Sequence, residues 1–154
     1  MPSYTFESLL KDVGEKLEIP NLESTVNNNI TLTLKNKVDV VLQRHKSQPY
    51  LIIACEIADV PGGRYRENIF REALKFNNLN KPHEGIFAFS KKTQKLFIFD
   101  MLPFDEITGE QVISVMQILG NKAQIWKEGL DRGNIPTIGH SQPTGGGGLF
   151  GIIR

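Results

Sequence analysis

The stretch GIFAFSKKTQKLFIFDM, residues 85–101, decides how this chain folds. Two aromatic-rich runs, GIFAF (85–89) and LFIFDM (96–101), flank the polar segment from Ser90 to Lys95, which is the pattern of a β-hairpin. Upstream, Tyr65, Ile69, Phe70, Ala73, Leu74 and Phe76 recur at helical spacing and give a broad apolar stripe. Pro61, Gly62 and Gly63 punctuate the start of that helix, and Asn77 to Pro82 its end. Further upstream, Ile30, Leu32 and Leu34 alternate with Thr31 and Thr33, the period of two expected of a half-buried strand. After a turn at Asn36 and Lys37, Val38, Val40 and Leu42 continue the alternation, and Tyr50 to Ile57 forms a third strand beyond the polar break from Arg44 to Pro49. The first helix covers residues 5–18, with Phe6, Leu9, Leu10, Val13 and Leu17 on one side and Pro20 as its stop.

Downstream of the hairpin, Thr108 and Gln111 match a capping box, and Val112, Val115, Met116, Leu119, Ala123, Trp126 and Leu130 trace one face of a long helix. From Gly133 the composition turns to Gly, Pro, Ser and Thr, so residues 1–132 read as one domain and 133–154 as a flexible tail. That tail ends in the apolar LFGIIR, either a loose terminus or a short docking peptide for a sheet edge or groove. The predicted class is α+β, in the order α-β-β-β-α-β-β-α, with a twisted antiparallel sheet packed against helices.

Charge and composition remove several function classes. The chain has 154 residues, 40% apolar and 23% charged, with 18 basic and 17 acidic side chains, so no basic excess suits it to phosphate backbones. Near the N-terminus no uninterrupted apolar run reads as a secretory signal, and no stretch approaches the roughly 20 apolar residues that cross a bilayer. One cysteine, Cys55, sits inside LIIACEI as a small buried hydrophobe, in keeping with a reducing cytosol. His45, His83 and His140 lie in polar breaks without acidic or cysteine companions, so neither a metal cage nor a catalytic constellation is expected, and no cofactor. Pro61-Gly62-Gly63-Arg64 lacks the spacing and the Lys-Ser/Thr ending of a nucleotide-binding loop.

Three local features, taken in order, carry a family resemblance. ALKFN (73–77) closes the second helix, Gly85 opens the fourth strand, and LPF (102–104) leads into a last helix ending in Ile125-Trp126-Lys127. Over residues 5–130 the chain resembles the class I type III secretion chaperones, the Tir chaperone family. The resemblance implies a bacterial cytosolic protein that is not an enzyme. It implies binding of N-terminal segments of secreted effector proteins, which are kept stable and export-competent and delivered to the secretion ATPase or sorting platform. Cargo contacts are then expected at Phe6, Leu9, Leu10, Leu32, Leu34 and Phe97, where the competing reading is simple core packing. A homodimer is expected through Ile69, Phe70, Leu74, Phe76, Ile86 and Phe89. The balanced charge departs from the acidic character typical of the family, and so does the glycine-rich tail.

Two other readings stay open on sequence. Helix, three strands, helix is also the order of double-stranded RNA binders, although the second helix mixes Arg64, Arg66, Arg71 and Lys75 with Glu67 and Glu72. A non-chaperone adaptor of the same fold, holding one folded partner, is the other.

Overall fold

The computed structural model describes residues 5–19, 29–79 and 84–136. Helix α1 (Phe6–Leu17) is followed by strands β1 (Asn29–Thr33), β2 (Asp39–Arg44) and β3 (Tyr50–Asp59). Then come helix α2 (Arg64–Leu79), strands β4 (Ile86–Ser90) and β5 (Lys95–Pro103), and helix α3 (Gly109–Asp131). This is the α+β order expected from periodicity, with α2 running past Asn77 to Leu79. Pro20, Pro82, His83, His140 and the other tail residues from 137 to 154 lie outside the described residues.

The five strands form one antiparallel sheet in the order β1-β2-β3-β5-β4. A hairpin inserted after α2 therefore places its second strand, β5, against β3 and its first strand, β4, at the edge. The β3–β5 pairing runs from Tyr50 opposite Pro103 to Asp59 opposite Lys95, with a register shift between Glu56 and Ala58. The extra residue of such a bulge bends the strand and increases its twist.

All three helices belong to one side of this sheet. Helix α3 packs across β3, β5 and β2, α1 lies on α3, and α2 lies along β4. Inward-pointing Leu51, Ile53 and Cys55 of β3 and Leu96, Ile98 and Leu102 of β5 are buried, together with Val115, Leu119 and Trp126 of α3. Each such large aliphatic side chain contributes about 1.5–3 kcal/mol by leaving water. At 23 residues, α3 is long enough to cross the sheet, about 34 Å at 1.5 Å per residue.

The helix starts are capped as their sequences suggest. The Thr5 hydroxyl accepts from the Ser8 amide while the Ser8 hydroxyl accepts from the Thr5 amide, and the Thr108 hydroxyl accepts from the Gln111 amide at 3.1 Å. At the β1–β2 turn the Asn36 side-chain amide donates to Gln124 Oε1 at 2.9 Å and to the Gly120 carbonyl at 3.3 Å. Leu34 rests on Gly120 there, where any Cβ would collide with it, so this glycine sets the spacing between turn and helix. Beyond α3, the Asn134 amide donates to the Gly129 carbonyl at 2.7 Å and Ile135 packs against the core, so the chain is held down past the Gly133 boundary expected from composition.

Candidate functional site

The residues that carry the family resemblance form one structural unit. Phe76 of α2, Phe87 of β4 and Trp126 of α3 cluster, with ring centroids 5.9 Å apart for Phe76–Phe87, 5.4 Å for Phe76–Trp126 and 4.5 Å for Phe87–Trp126. Tilted and edge-on pairs at such distances are favourable. Asn77 then clamps the strand itself: its side-chain amide donates to the Phe87 carbonyl at 2.9 Å, and its side-chain oxygen accepts from the Phe87 amide at 2.7 Å. A backbone donor and acceptor at the sheet edge are thereby satisfied by a side chain, which blunts that edge against pairing with another chain. Gly85, just before β4, has φ +100°, and a Cβ there would approach Ile98 Cδ1 to 2.6 Å and Leu119 Cδ2 to 2.7 Å, so glycine alone fits. The Gly85 amide donates to Asp100 Oδ2 at 3.2 Å, and Lys122 Nζ donates to the Glu84 carbonyl at 2.7 Å. Burial pulls the Lys122 pKa below that of an ordinary lysine, against the raising influence of Glu84 and Asp100.

This unit is architecture, and the other face of the sheet has a different character. The outward residues of β3 and β5 are also apolar: Ile52, Ala54, Phe97, Phe99 and Met101 are half-buried, and no helix among the described residues packs over them. Register joins them across the sheet. Val41 stands opposite Ala54, Ala54 opposite Phe99, and Phe99 opposite Ile86, one apolar row over four strands. At about 4.8 Å per strand the row spans about 14 Å. Ile52 opposite Met101 lies on one side of it, and Ala88 opposite Phe97 on the other. Glu56, opposite Phe97, brings a carboxylate to the margin. Such a surface can hold an extended apolar segment by side-chain burial, with no reacting group required.

The structure separates the residues expected to contact cargo. Phe6, Leu9, Leu10 and Leu32 are buried in the core, because the α1 stripe faces α3 and Leu32 points to the helical side of the sheet. That corrects their placement on an outer surface of the monomer. Leu34 is half-buried over Gly120. Phe97 alone of the six lies on the open face, its ring 6.0 Å from that of Phe99. For those four the competing reading, simple core packing, describes their place in the monomer.

The residues expected at a dimer interface divide in the same way. Ile69 is fully buried inside the monomer, which corrects its assignment to an intermolecular surface. Phe70 and Phe89 form a tilted pair with ring centroids 4.9 Å apart, Arg66 lies over the Phe89 ring at 4.9 Å, and Phe76 belongs to the tryptophan cluster. Leu74 and Ile86 stay open, 65% and 46% exposed, joined by Leu79 at 62%. Leu79 lies three residues past Phe76, where the expected apolar stripe ends, and extends it to the last residue of α2.

Cys55 and His45 take structural positions. Burial pushes the Cys55 thiol from 9.0 up to about 12, so it stays protonated and unreactive at neutral pH. His45 Nδ1 accepts from the Ser47 and Gln48 amides at 3.2 and 3.1 Å and so serves a turn. Among the described residues no three His, Cys, Asp or Glu side chains converge as a metal site. No helix among them is long and apolar enough to cross a membrane. A cavity of about 310 Å³ at the Asp59–Lys95 end of the sheet mixes Lys37, Lys95 and Lys127 with Glu56, Asp59 and Asp131, charges of both signs that do not select an anion.

Similar folds occur in solved structures of protein complexes. A chain of the ExsC–ExsE complex superposes with TM-score 0.66 at 21% identity, covering 78% of this chain and 89% of that one. A chain of the HopA1–SchA chaperone–effector complex gives TM-score 0.66 at 16% identity, covering 80% and 93%. The structure of the Yersinia pestis type III secretion chaperone SycH with a stable fragment of YscM2 gives TM-score 0.60 at 21% identity, covering 77% and 97%. No curated protein matches the chain in sequence. The sequence profile of one family does, over residues 8–127, the span that includes the Asn77 clamp, Gly85 and the Trp126 cluster. On that match the chain belongs to the Tir chaperone protein (CesT) family.

Proposed function

We propose that this protein is a bacterial cytosolic chaperone that holds N-terminal segments of type III effector proteins on the open apolar face of its sheet. The observation that carries the reading is the Val41–Ala54–Phe99–Ile86 row, an apolar path over four strands on the side away from the helices. An export substrate kept non-globular exposes apolar side chains, and a surface of this kind shields them from aggregation and from premature folding. Family membership and the chaperone–effector complexes among structures of similar fold support the same reading. Holding needs no covalent step, so the protein acts as a binding partner and not as an enzyme, and release and unfolding of cargo fall to the secretion ATPase or sorting platform.

The working unit is a homodimer. Leu74, Leu79 and Ile86 are large, exposed and apolar on neighbouring elements α2 and β4, the pattern of a self-complementary patch. A stable pair should bury at least about 1,200 Å² in total. Light scattering behind size exclusion tests it, and a particle near the chain mass of 17.3 kDa overturns it. Chaperone function is tested by co-expression with N-terminal segments of candidate effectors, read by stable co-purification and protease protection of the segment. Capture only of folded proteins overturns the reading in favour of an adaptor. Retention of RNA that falls steeply with salt favours a nucleic-acid module instead.

A further inference from the structure

The apolar hexapeptide LFGIIR at residues 149–154 belongs to no described element. It hangs on a linker, TIGHSQPTGGGG (137–148), whose four consecutive glycines suit neither helix nor strand. The last described residue, Pro136, packs beside Gly129 at the end of α3. Lys127 and Asp131 of that helix share a cavity with Ala58, Asp59 and Lys95, so the chain departs beside the end of the β3–β5 pair. Phe97 and Phe99 lie two and four residues along β5 from Lys95, about 7 and 14 Å at the rise of a strand, and crossing to the opposite face adds about half of a 10 Å sheet spacing. Thirteen Cα steps from Pro136 to Leu149 reach about 45 Å when extended and about 20 Å as a flexible coil. The segment therefore reaches the open face without strain.

Its composition fits what it would meet there. Leu149, Phe150, Ile152 and Ile153 match an apolar row, and Arg154 matches the carboxylate of Glu56 at the margin of that face. A glycine-rich tether of twelve residues would hold the segment at an effective concentration on the order of millimolar, enough for a weak peptide to occupy its site.

We propose that residues 149–154 dock over Ile52, Phe97, Phe99 and Met101 of their own chain, a tethered occupant that shields the open face of the sheet. Resting on the proposed chaperone function, the docked segment also gives way to an incoming export segment. A segment with a dissociation constant one-tenth of the effective concentration lowers the apparent affinity of a competitor for the same face about tenfold.

The test compares the full chain with its full-length Phe150→Ser/Ile152→Ser variant by methyl NMR with labelled isoleucine and methionine. The Ile52 and Met101 methyls should shift between the two, the buried Ile53 and Ile98 methyls should not, and synthetic LFGIIR added to the variant should restore the shifts. Identical methyl spectra overturn the docking. Shifts that grow with protein concentration also overturn it, since they assign the face to a second copy. An effector N-terminal segment should bind the variant about tenfold more tightly than the wild type. If the methyl shifts appear but no export segment binds either chain, docking stands and the chaperone reading fails. If an export segment binds both chains equally and the methyl spectra coincide, the chaperone reading stands and docking fails.

Discussion

The two faces of the central sheet are built from the same two strands and meet different surroundings. Along β3 and β5, Leu51, Ile53, Cys55, Leu96, Ile98 and Leu102 point to the helices and are buried, while Ile52, Ala54, Phe97, Phe99 and Met101 point away and are half-buried. An antiparallel sheet with one face in water normally alternates apolar with polar residues; strands apolar on both faces are a mark of sheets covered on both sides. Here helices cover one side. The surplus apolar surface on the other is the physical reason to expect an occupant, and the proposed holding of cargo rests on that asymmetry.

The comparison is broken first from the inside. Ile98→Ala on the covered face should cost about 2–5 kcal/mol through lost burial and a residual cavity, read as a lower urea midpoint at unchanged slope. Gly85→Ala forces a Cβ into Ile98 and Leu119 at positive φ and should cost about 1–3 kcal/mol. Asn77→Ala strands the Phe87 amide and carbonyl at the β4 edge, a loss of about 1–3 kcal/mol, accompanied by a greater tendency to associate through that edge. On the open face, Phe99→Ser removes a half-buried ring and should cost only about 1 kcal/mol, while binding of an export segment collapses.

At neutral pH the smallest effect is that of the Cys55 thiol, which shows itself only as a pH dependence in the alkaline range. Burial raises the thiol from 9.0 in the open chain to about 12 in the fold, so between those values the unfolded state sheds a proton that the folded state keeps. That contribution to stability is complete below pH 9.0 and fades as pH rises toward about 12. Lys122, whose pKa is lowered by burial, acts in the opposite direction. Comparing wild type with Cys55→Ala isolates the thiol: the alkaline decline should be shallower in the variant, and thiol reagents should label the wild type at neutral pH only after unfolding.

The same asymmetry explains what could be read in the sequence. The helices and strands were legible because periods of 3.6 and 2 are local: Leu9, Leu10 and Val13 define α1, and Ile30 and Leu32 define β1. The order β1-β2-β3-β5-β4 was not legible, since α2 can return the chain to either side of β3. Nor was the binding face. In LIIACEI and LFIFDM nearly every residue is apolar, so only register tells Ile52 from Ile53 or Phe99 from Ile98. The amphipathic α1 stripe, by contrast, announces itself, and it proves to be core. Asn77, Gly85 and Trp126 carry the family resemblance in the sequence, and only the packing around Phe87 shows that Asn77 and Trp126 meet at one strand.

The most direct measurement is calorimetric titration of an effector N-terminal segment that co-purifies with the wild-type chain into the wild type and into Phe97→Ser/Phe99→Ser, with circular dichroism to establish that the variant is folded. If the open face holds cargo, the folded variant binds at least about tenfold more weakly, a loss of about 1.4 kcal/mol. Unchanged affinity in a folded variant would contradict the assignment of cargo binding to that face.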